Sequence, residues 1–147
     1  MITRHPRVLC AALVVGLLTA AALPATSMAQ TNQAEVGEPA PNFTLQAADG
    51  DEHSLADFEG QYVVLEWLNF GCPFVGKHYG SGNMQRLQDT YTDEGVVWLS
   101  IVSSAPGKQG YYPPDEMVEQ KKKHDGNMTA ILMDPEGEVG KTYGATV

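Results

Sequence analysis

The chain has 147 residues, of which 43% are hydrophobic and 18% charged, and its formal net charge is −9. The length suits one domain with one core. The acidic balance argues against a nucleic-acid partner and against an anionic membrane surface, because both attract cationic faces.

Residues 1–29 have the pattern of a cleavable secretory signal. Arg4 and Arg7 form a basic start, residues 8–23 are apolar, and Ser27-Met28-Ala29 offers small residues for cleavage. The apolar run is shorter than the roughly 20 residues of a membrane span, so a retained anchor is the less favoured alternative. We therefore predict an exported protein, periplasmic or secreted, that has no membrane partner after cleavage.

Removal of the signal leaves 7 basic against 18 acidic residues, because both signal arginines are lost. Residues 30–41 are polar and predict an irregular lead-in to a single domain over residues 42–147. A short hairpin is predicted around the Asp49-Gly50 turn signal. The segment from Ser54 to Asp57 has the spacing of a capping box that opens one helical turn.

Three apolar runs, at residues 62–68, 96–102 and 129–133, predict strands, and the first two are expected to be buried. Helical patterns alternate with these strands, which predicts a parallel α/β core. The helical segments are residues 73–92, 115–124 and a start at 139–143, and Gly80 and Gly82 are expected to break the first one. Its predicted apolar stripe comprises Val75, Tyr79, Met84, Leu87 and Tyr91.

Cys72 is the only cysteine that remains after signal removal, since Cys10 lies within the signal. It stands where the strand over residues 62–68 is followed by a helix, and unpaired amides at a helix start favour a thiolate. Pro73 is tolerated in the first turn. A lone thiol in an exported protein is reactive, paired between molecules or buried. We predict that Cys72 is a nucleophile, and the alternative is an inert remnant.

Glu66 precedes Cys72 by six residues on an otherwise apolar strand. On one interpretation the carboxyl group is desolvated and carries a proton during catalysis. On the other, Glu66 faces water because the sheet is incomplete. The sequence leaves both interpretations open.

These residues resemble the thioredoxin-fold superfamily, and within it the redoxin branch that includes alkyl hydroperoxide reductase and thiol-specific antioxidant proteins. The resemblance covers about residues 36–147 and rests on four motifs in order. They are the segments at residues 36–43, 67–73, 95–100 and 134–137. The resemblance implies a three-layer α/β/α fold with an N-terminal β-hairpin. It also implies a C-terminal β-hairpin and a last helix beyond Val147, so we expect the sequence to be a fragment.

Two departures from the family pattern concern the chemistry. Thioredoxin-type reductases carry Cys-x-x-Cys, but Val75 stands at the second position, so no disulfide forms within this motif. Peroxiredoxins carry Thr or Ser where Asn69 stands and Pro where Leu65 stands, and Arg86 falls too early for their downstream arginine. Asn69 still offers a hydrogen-bond donor and an acceptor, and it is kept as a catalytic candidate.

The resemblance implies a thiol-dependent oxidoreductase with antioxidant activity. Cys72 would attack a peroxide or disulfide substrate, and an external thiol or a thioredoxin-type reductant would recycle it. Substrate contacts are assigned to Trp67, Pro73 and Phe74, which flank Cys72. We predict no cofactor and no metal, since His78 points away from Cys72 round a helix.

Two alternatives come from other classes. One is a non-catalytic thioredoxin-like module that binds peptides or proteins in the groove beside Cys72. The other is a copper or haem-thiol handling protein of the same fold, which would need a second thiol that the mature chain lacks.

Overall fold

The computed structural model describes residues 33–145, so the predicted signal and Cys10 lie outside the described residues. This described part of the chain contains two sheets. A parallel sheet contains β3 (Val63–Trp67), β4 (Val97–Val102) and β5 (Ala130–Met133), in that order. An antiparallel hairpin contains β1 (Thr44–Gln46) and β2 (Glu52–Ser54). The predicted hairpin and parallel core are both confirmed.

The hairpin extends the parallel sheet on the β5 side. Ala47 forms an antiparallel bridge with Leu132, and the Ala48 N–H donates to the Ile131 carbonyl over 2.8 Å. At the other side, β3 pairs with β4 alone among residues 33–145. The Cys72 loop therefore follows a strand that has one neighbour in the described part of the chain.

Four α-helices and one 3₁₀ helix join the strands within residues 33–145. They are α1 (Pro73–Gly80), α2 (Asn83–Asp93), α3 (Pro114–Lys123), α4 (Glu138–Thr142) and the 3₁₀ helix Leu55–Phe58. The predicted break between α1 and α2 is confirmed, because Gly82 has a φ of 70°, which is unfavourable for other residues. At the 3₁₀ helix, the Asp57 carboxylate accepts the Ser54 N–H over 2.9 Å.

The core lies on both faces of β4, whose six residues are all buried. Leu99 and Ile101 pack toward the hairpin and α4, whereas Trp98 and Val102 pack toward α1 and α3. Burial of each large apolar side chain contributes about 1.5–3 kcal/mol to folding. This packing on two faces is the α/β/α layering that the resemblance implies. No helix within residues 33–145 is long and apolar enough to cross a membrane.

Two predictions about burial are wrong. All five residues of β3 are only half-buried, because the strand has a neighbour on one side alone within the described residues. On α2, Leu87 and Tyr91 are exposed, and the fully buried residue is Gln88. The inner face of α2 is polar at that point because it meets the hydrogen-bonding group of Glu66.

Candidate active site

Cys72 is a free cysteine at the N-cap of α1, immediately after the loop that leaves β3. Its backbone is extended, with φ −79° and ψ 129°, and Pro73 provides the first helical residue, which needs no N–H partner. The residue is partly exposed, and its side chain caps no first-turn amide. Cys72 is therefore partly accessible as a residue and lies at the positive end of the α1 dipole.

Asn69 organises the turn that carries Cys72. Its side-chain Oδ1 accepts the Gly71 N–H over 2.8 Å, and its backbone carbonyl accepts the Cys72 N–H over 2.9 Å. Such a side-chain bond to the residue two positions later defines an Asx turn. Asn69, which was a catalytic candidate from sequence, thus fixes the backbone before the thiol.

Gln109 is a site residue that the sequence analysis missed. Its side-chain amide donates to the Gly71 carbonyl over 2.6 Å, and its own carbonyl accepts Asn69 Nδ2 over 3.3 Å. The residue lies 38 positions after Gly71, in the irregular segment between β4 and α3. No local motif indicates this pairing, although the glycines of the two segments are a signal of close approach.

Both segments need glycine where they meet. A Cβ on Gly71 would lie 2.9 Å from Gln109 Cγ, and a Cβ on Gly110 would collide with the Asn69 side chain. Gly110 also has a φ of 80°, which favours glycine. The two loops are therefore matched in shape as well as in hydrogen bonding.

Glu66 lies in a network of hydrogen bonds on the α1 and α2 side of the sheet. Its Oε2 accepts Trp98 Nε1 and Ser100 Oγ, each over 2.8 Å. Its Oε1 accepts the Tyr79 hydroxyl over 3.4 Å, and the Gln88 amide lies 3.5 Å from Oε2. The interpretation that Glu66 simply faces water is wrong, because these four donors surround it.

Tyr79 connects this network to α1. Burial, reinforced by the negative charge of Glu66, raises the pKa of the Tyr79 hydroxyl well above its usual range. Its oxygen also accepts the Gln88 amide over 2.9 Å. Among residues 33–145, none of the hydrogen bonds of Glu66 involves Cys72.

The three predicted substrate contacts differ in their surroundings. Pro73 and Phe74 are exposed beside Cys72, and Phe74 presents 76% of its surface to solvent. Trp67 is half-buried, and its Nε1 donates to Ser103 Oγ over 3.3 Å. Ser103 in turn donates to Asp134 over 2.6 Å, so the indole is held by a chain of two hydrogen bonds.

A cleft of about 450 Å³ adjoins the Cys72 turn. Its walls include Trp67, Asn69, Ser103, Ala105, Lys108 and Gln109. Another cleft, of about 470 Å³, lies around Lys121 and Asp125 and contains none of the predicted site residues. The first cleft is the better candidate for substrate because it meets the loop that carries the thiol.

His78 and His124 lie near the elements that carry Cys72. His78 is exposed, and its Nδ1 lies 3.5 Å from Asn83 Nδ2. His124 stacks on Phe70 of the Cys72 loop at 4.5 Å between ring centres, and burial and the neighbouring Lys123 lower its pKa. Within residues 33–145, no group of three potential ligands is assembled for a metal ion.

Comparison with known proteins places these features in context. Residues 36–147 match the AhpC/TSA family. A Mycobacterium tuberculosis protein whose name assigns it provisionally to the peroxiredoxins is 28% identical over 118 residues, which cover 80% of this chain and 69% of that protein. The thiol-disulfide oxidoreductase ResA of Bacillus thuringiensis is 27% identical over 110 residues, covering 75% of this chain and 58% of ResA.

Solved structures show the same fold. An uncharacterised conserved protein from Geobacillus kaustophilus superposes with a TM-score of 0.65 and 27% identity, covering 74% of this chain and 57% of that one. The pneumococcal exposed lipoprotein thioredoxin of Streptococcus pneumoniae superposes with a TM-score of 0.54 and 26% identity, covering 71% and 74%. These likenesses confirm the thioredoxin-like fold class.

Proposed function

The chain belongs to the AhpC/TSA family, whose matched relatives are named as oxidoreductases, and from this premise we propose that it is an exported thiol oxidoreductase with a single nucleophilic cysteine. Its substrates are peroxides or disulfides, and an external thiol completes its cycle. It uses no cofactor. The chain spans 58% of ResA, so this activity is proposed for the protein rather than transferred from that relative.

The observation that carries the proposal is the position of Cys72. The thiol is partly exposed at the first residue before α1, with no side-chain cap on the helix. A helix start carries a partial positive charge that favours a nearby anion, and the thiolate is the form of a cysteine that attacks.

With a peroxide, the Cys72 sulfur attacks one oxygen and the O–O bond breaks. Cysteine is oxidised to sulfenic acid, and the leaving alkoxide or hydroxide takes a proton to become an alcohol or water. An external thiol then attacks the sulfenic acid, which forms a mixed disulfide and releases water. A second external thiol restores Cys72 and leaves as the oxidised disulfide.

With a disulfide, the thiolate displaces one substrate sulfur and forms a mixed disulfide. The displaced thiolate takes a proton, and an external thiol resolves the intermediate. Val75 occupies the position from which a second cysteine would resolve it internally. The proposed partner is therefore a small thiol or a thioredoxin-type reductant.

Two further residues have proposed roles beside the thiol. Asn69 orders the turn through its bonds to Gly71 and Cys72, which supports a positioning role. Glu66 is retained as the proton carrier, supported by its location on the strand that leads to Cys72. Trp67, Pro73 and Phe74 are proposed to contact the substrate, since Trp67 lines the cleft and the other two are exposed immediately after Cys72 in the chain.

Export is supported by the signal pattern over residues 1–29. A structural relative is also named as an exposed lipoprotein. Sequencing the amino terminus of the exported product tests this part. A product that begins at Gln30 is expected, and an intact product retained in the cytoplasm would contradict it.

Turnover of the purified protein tests the activity. Consumption of hydrogen peroxide, and separately of a small aromatic disulfide, is followed with excess dithiothreitol as reductant. Wild type is expected to exceed the uncatalysed rate with at least one substrate, and Cys72→Ser to fall to background. Circular dichroism controls for folding. Equal turnover by both proteins would reject Cys72 as the nucleophile.

A non-catalytic binding module is the second candidate, and the exposure of Phe74 favours it. An aromatic side chain with 76% of its surface in water, two residues after Cys72, offers an apolar contact to a peptide. This candidate predicts peptide binding that survives Cys72→Ser, together with background turnover in wild type.

A further inference from the structure

We propose that Gln109 is a positioning residue, which orients the Gly71–Cys72 peptide and thereby maintains the reactivity of the Cys72 thiol at neutral pH. The inference rests on the proposed function, because it assigns Gln109 a role in presenting that nucleophile. Gln109 lies in the irregular segment between β4 and α3 and is not among the site residues predicted from the sequence.

The peptide unit between Gly71 and Cys72 is held at both of its polar groups. Its N–H donates to the Asn69 carbonyl over 2.9 Å, and its carbonyl accepts the Gln109 side-chain amide over 2.6 Å. With both groups bonded, rotation of the peptide plane is restricted. The direction of the Cys72 side chain is restricted with it, because its Cα is the next atom of the chain.

The hydrogen bond from Gln109 also affects the electrostatic potential at the Cys72 sulfur. A carbonyl oxygen carries a partial negative charge, which opposes a thiolate one residue away. The N–H dipole of Gln109 offsets this charge. The dipole of α1 favours negative charge at Cys72. The Gln109 amide weakens the opposing effect of the Gly71 carbonyl.

The contact between Gln109 and Gly71 is supported by a second hydrogen bond and by two glycines. Asn69 Nδ2 returns a hydrogen bond to the Gln109 carbonyl over 3.3 Å, so the two loops are joined in both directions. Gly71 and Gly110 remove the Cβ atoms that would separate these loops. Gln109 is itself exposed, so its replacement changes the site with little cost to the core.

Titratable residues near the Cys72 loop include His124, which stacks on Phe70. Lys108 lines the adjoining cleft, and Lys77 lies on the exposed part of α1. Neither is changed in the test, so a difference in thiol reactivity between variants reports the amide of Gln109.

The test is the rate of iodoacetamide alkylation of Cys72, read by intact mass, at neutral pH and at about pH 10, where a free thiol is almost fully ionised. Gln109→Ala is expected to slow alkylation about threefold at neutral pH, the effect of one lost hydrogen bond. Gln109→Glu is expected to slow it about tenfold, because a carboxylate cannot donate and adds negative charge. At the higher pH, all three proteins are expected to react within about 1.5-fold of one another.

Gln61→Ala is the matched control, since Gln61 is exposed and lies at the opposite end of β3. It is expected to react like wild type at both pH values. Gly110→Ala provides a second route, because it displaces Asn69 without removing the Gln109 amide. It is also expected to slow alkylation at neutral pH.

Unchanged rates in both Gln109 variants would overturn the inference. Equal slowing at neutral and alkaline pH would overturn it too, since it would mean restricted access instead of altered ionisation. The assay needs no peroxide, disulfide substrate or reductant. Absent turnover with a clear Gln109 effect would therefore reject the proposed function and leave the positioning role standing.

Discussion

The Trp98 indole N–H donates to the Glu66 carboxylate over 2.8 Å, from the central strand to its half-buried neighbour. Ser100 reaches the same oxygen from the same face of β4 over 2.8 Å. The carboxylate thus satisfies two polar groups of a buried strand. Removing the carboxylate leaves these two donors without a partner. The free-energy penalty of a buried unpaired donor usually exceeds the net stabilisation that its hydrogen bond provides.

Glu66→Leu is therefore expected to lower the free energy of unfolding by about 3 kcal/mol, measured by urea titration. Glu66→Gln keeps one acceptor oxygen and is expected to lower it by about 1 kcal/mol. The control Glu59→Gln changes an exposed residue and is expected to have little effect. A Glu66→Leu protein as stable as wild type would contradict the structural role of the network.

The proposed proton-carrying role of Glu66 has a separate signature. Glu66→Gln is expected to lower turnover at least tenfold under conditions where the protein remains folded, because an amide cannot exchange the proton. Turnover and unfolding are measured on the same preparations. Wild-type turnover in that variant would limit Glu66 to holding the sheet and α1 together.

Tyr79 predicts how stability changes at alkaline pH. Burial and the Glu66 charge raise the pKa of its hydroxyl in the folded state above the ordinary value of 10.0. Above about pH 10 the unfolded chain releases this proton before the folded protein does, so stability falls as pH rises. Tyr79→Phe is expected to show a shallower decline between about pH 10 and 11 in urea unfolding.

Tyr62→Phe serves as the control, since Tyr62 is 85% exposed, and its pH dependence is expected to match wild type. Identical alkaline slopes for Tyr79→Phe and wild type would show that the Tyr79 proton is not linked to folding.

Asp134 is expected to be the most sensitive carboxylate outside the Glu66 network. It is 3% exposed and accepts Ser103 Oγ over 2.6 Å and the Gly140 N–H over 2.9 Å. Asp134→Ala is expected to lower the free energy of unfolding by about 3 kcal/mol, because both donors lose their acceptor. Asp93→Ala, at the exposed end of α2, is the control. If Asp134→Ala lowered the free energy of unfolding no more than the control does, the stabilising role of the Asp134 hydrogen bonds would be contradicted.

The proposed contact of Phe74 with substrate predicts different effects on small and large substrates. Phe74→Ser is expected to lower the rate with a peptide disulfide about fivefold, since an exposed aromatic side chain contributes apolar contact. The rate with hydrogen peroxide is expected to be unchanged, because that substrate is too small to need the contact. Leu87→Ser, an exposed apolar residue on α2, is the control. Equal losses with both substrates would exclude a specific role in binding.

The elements of the fold follow largely from local patterns. The apolar run over residues 96–102 predicts a buried strand. In the structure, all six residues of β4 are buried. The break between α1 and α2 is predictable from the glycines in that segment. In the structure, Gly82 adopts a positive φ there. The Cys72 position also follows from the chain, since strand and helix patterns meet there.

Pairings between distant segments are not predictable in this way. Gln88 is buried because Tyr79 and Glu66 provide partners for its amide. The sequence of α2 alone predicts that Leu87 and Tyr91 form the buried face instead. Gln109 meets Gly71 across 38 positions of sequence. The half-buried state of β3 depends on which strands pair beside it, which a single run of apolar residues does not specify.

The most direct test of the account is trapping of sulfenic acid on Cys72. The purified protein is exposed briefly to a low dose of peroxide at neutral pH with dimedone present, and the adduct is located by mass spectrometry, with Cys72→Ser alongside. A rapid, stoichiometric adduct is expected on Cys72, and none is expected in the variant. A folded wild-type protein that stays unlabelled, while also failing to form a mixed disulfide with an aromatic disulfide, would contradict it.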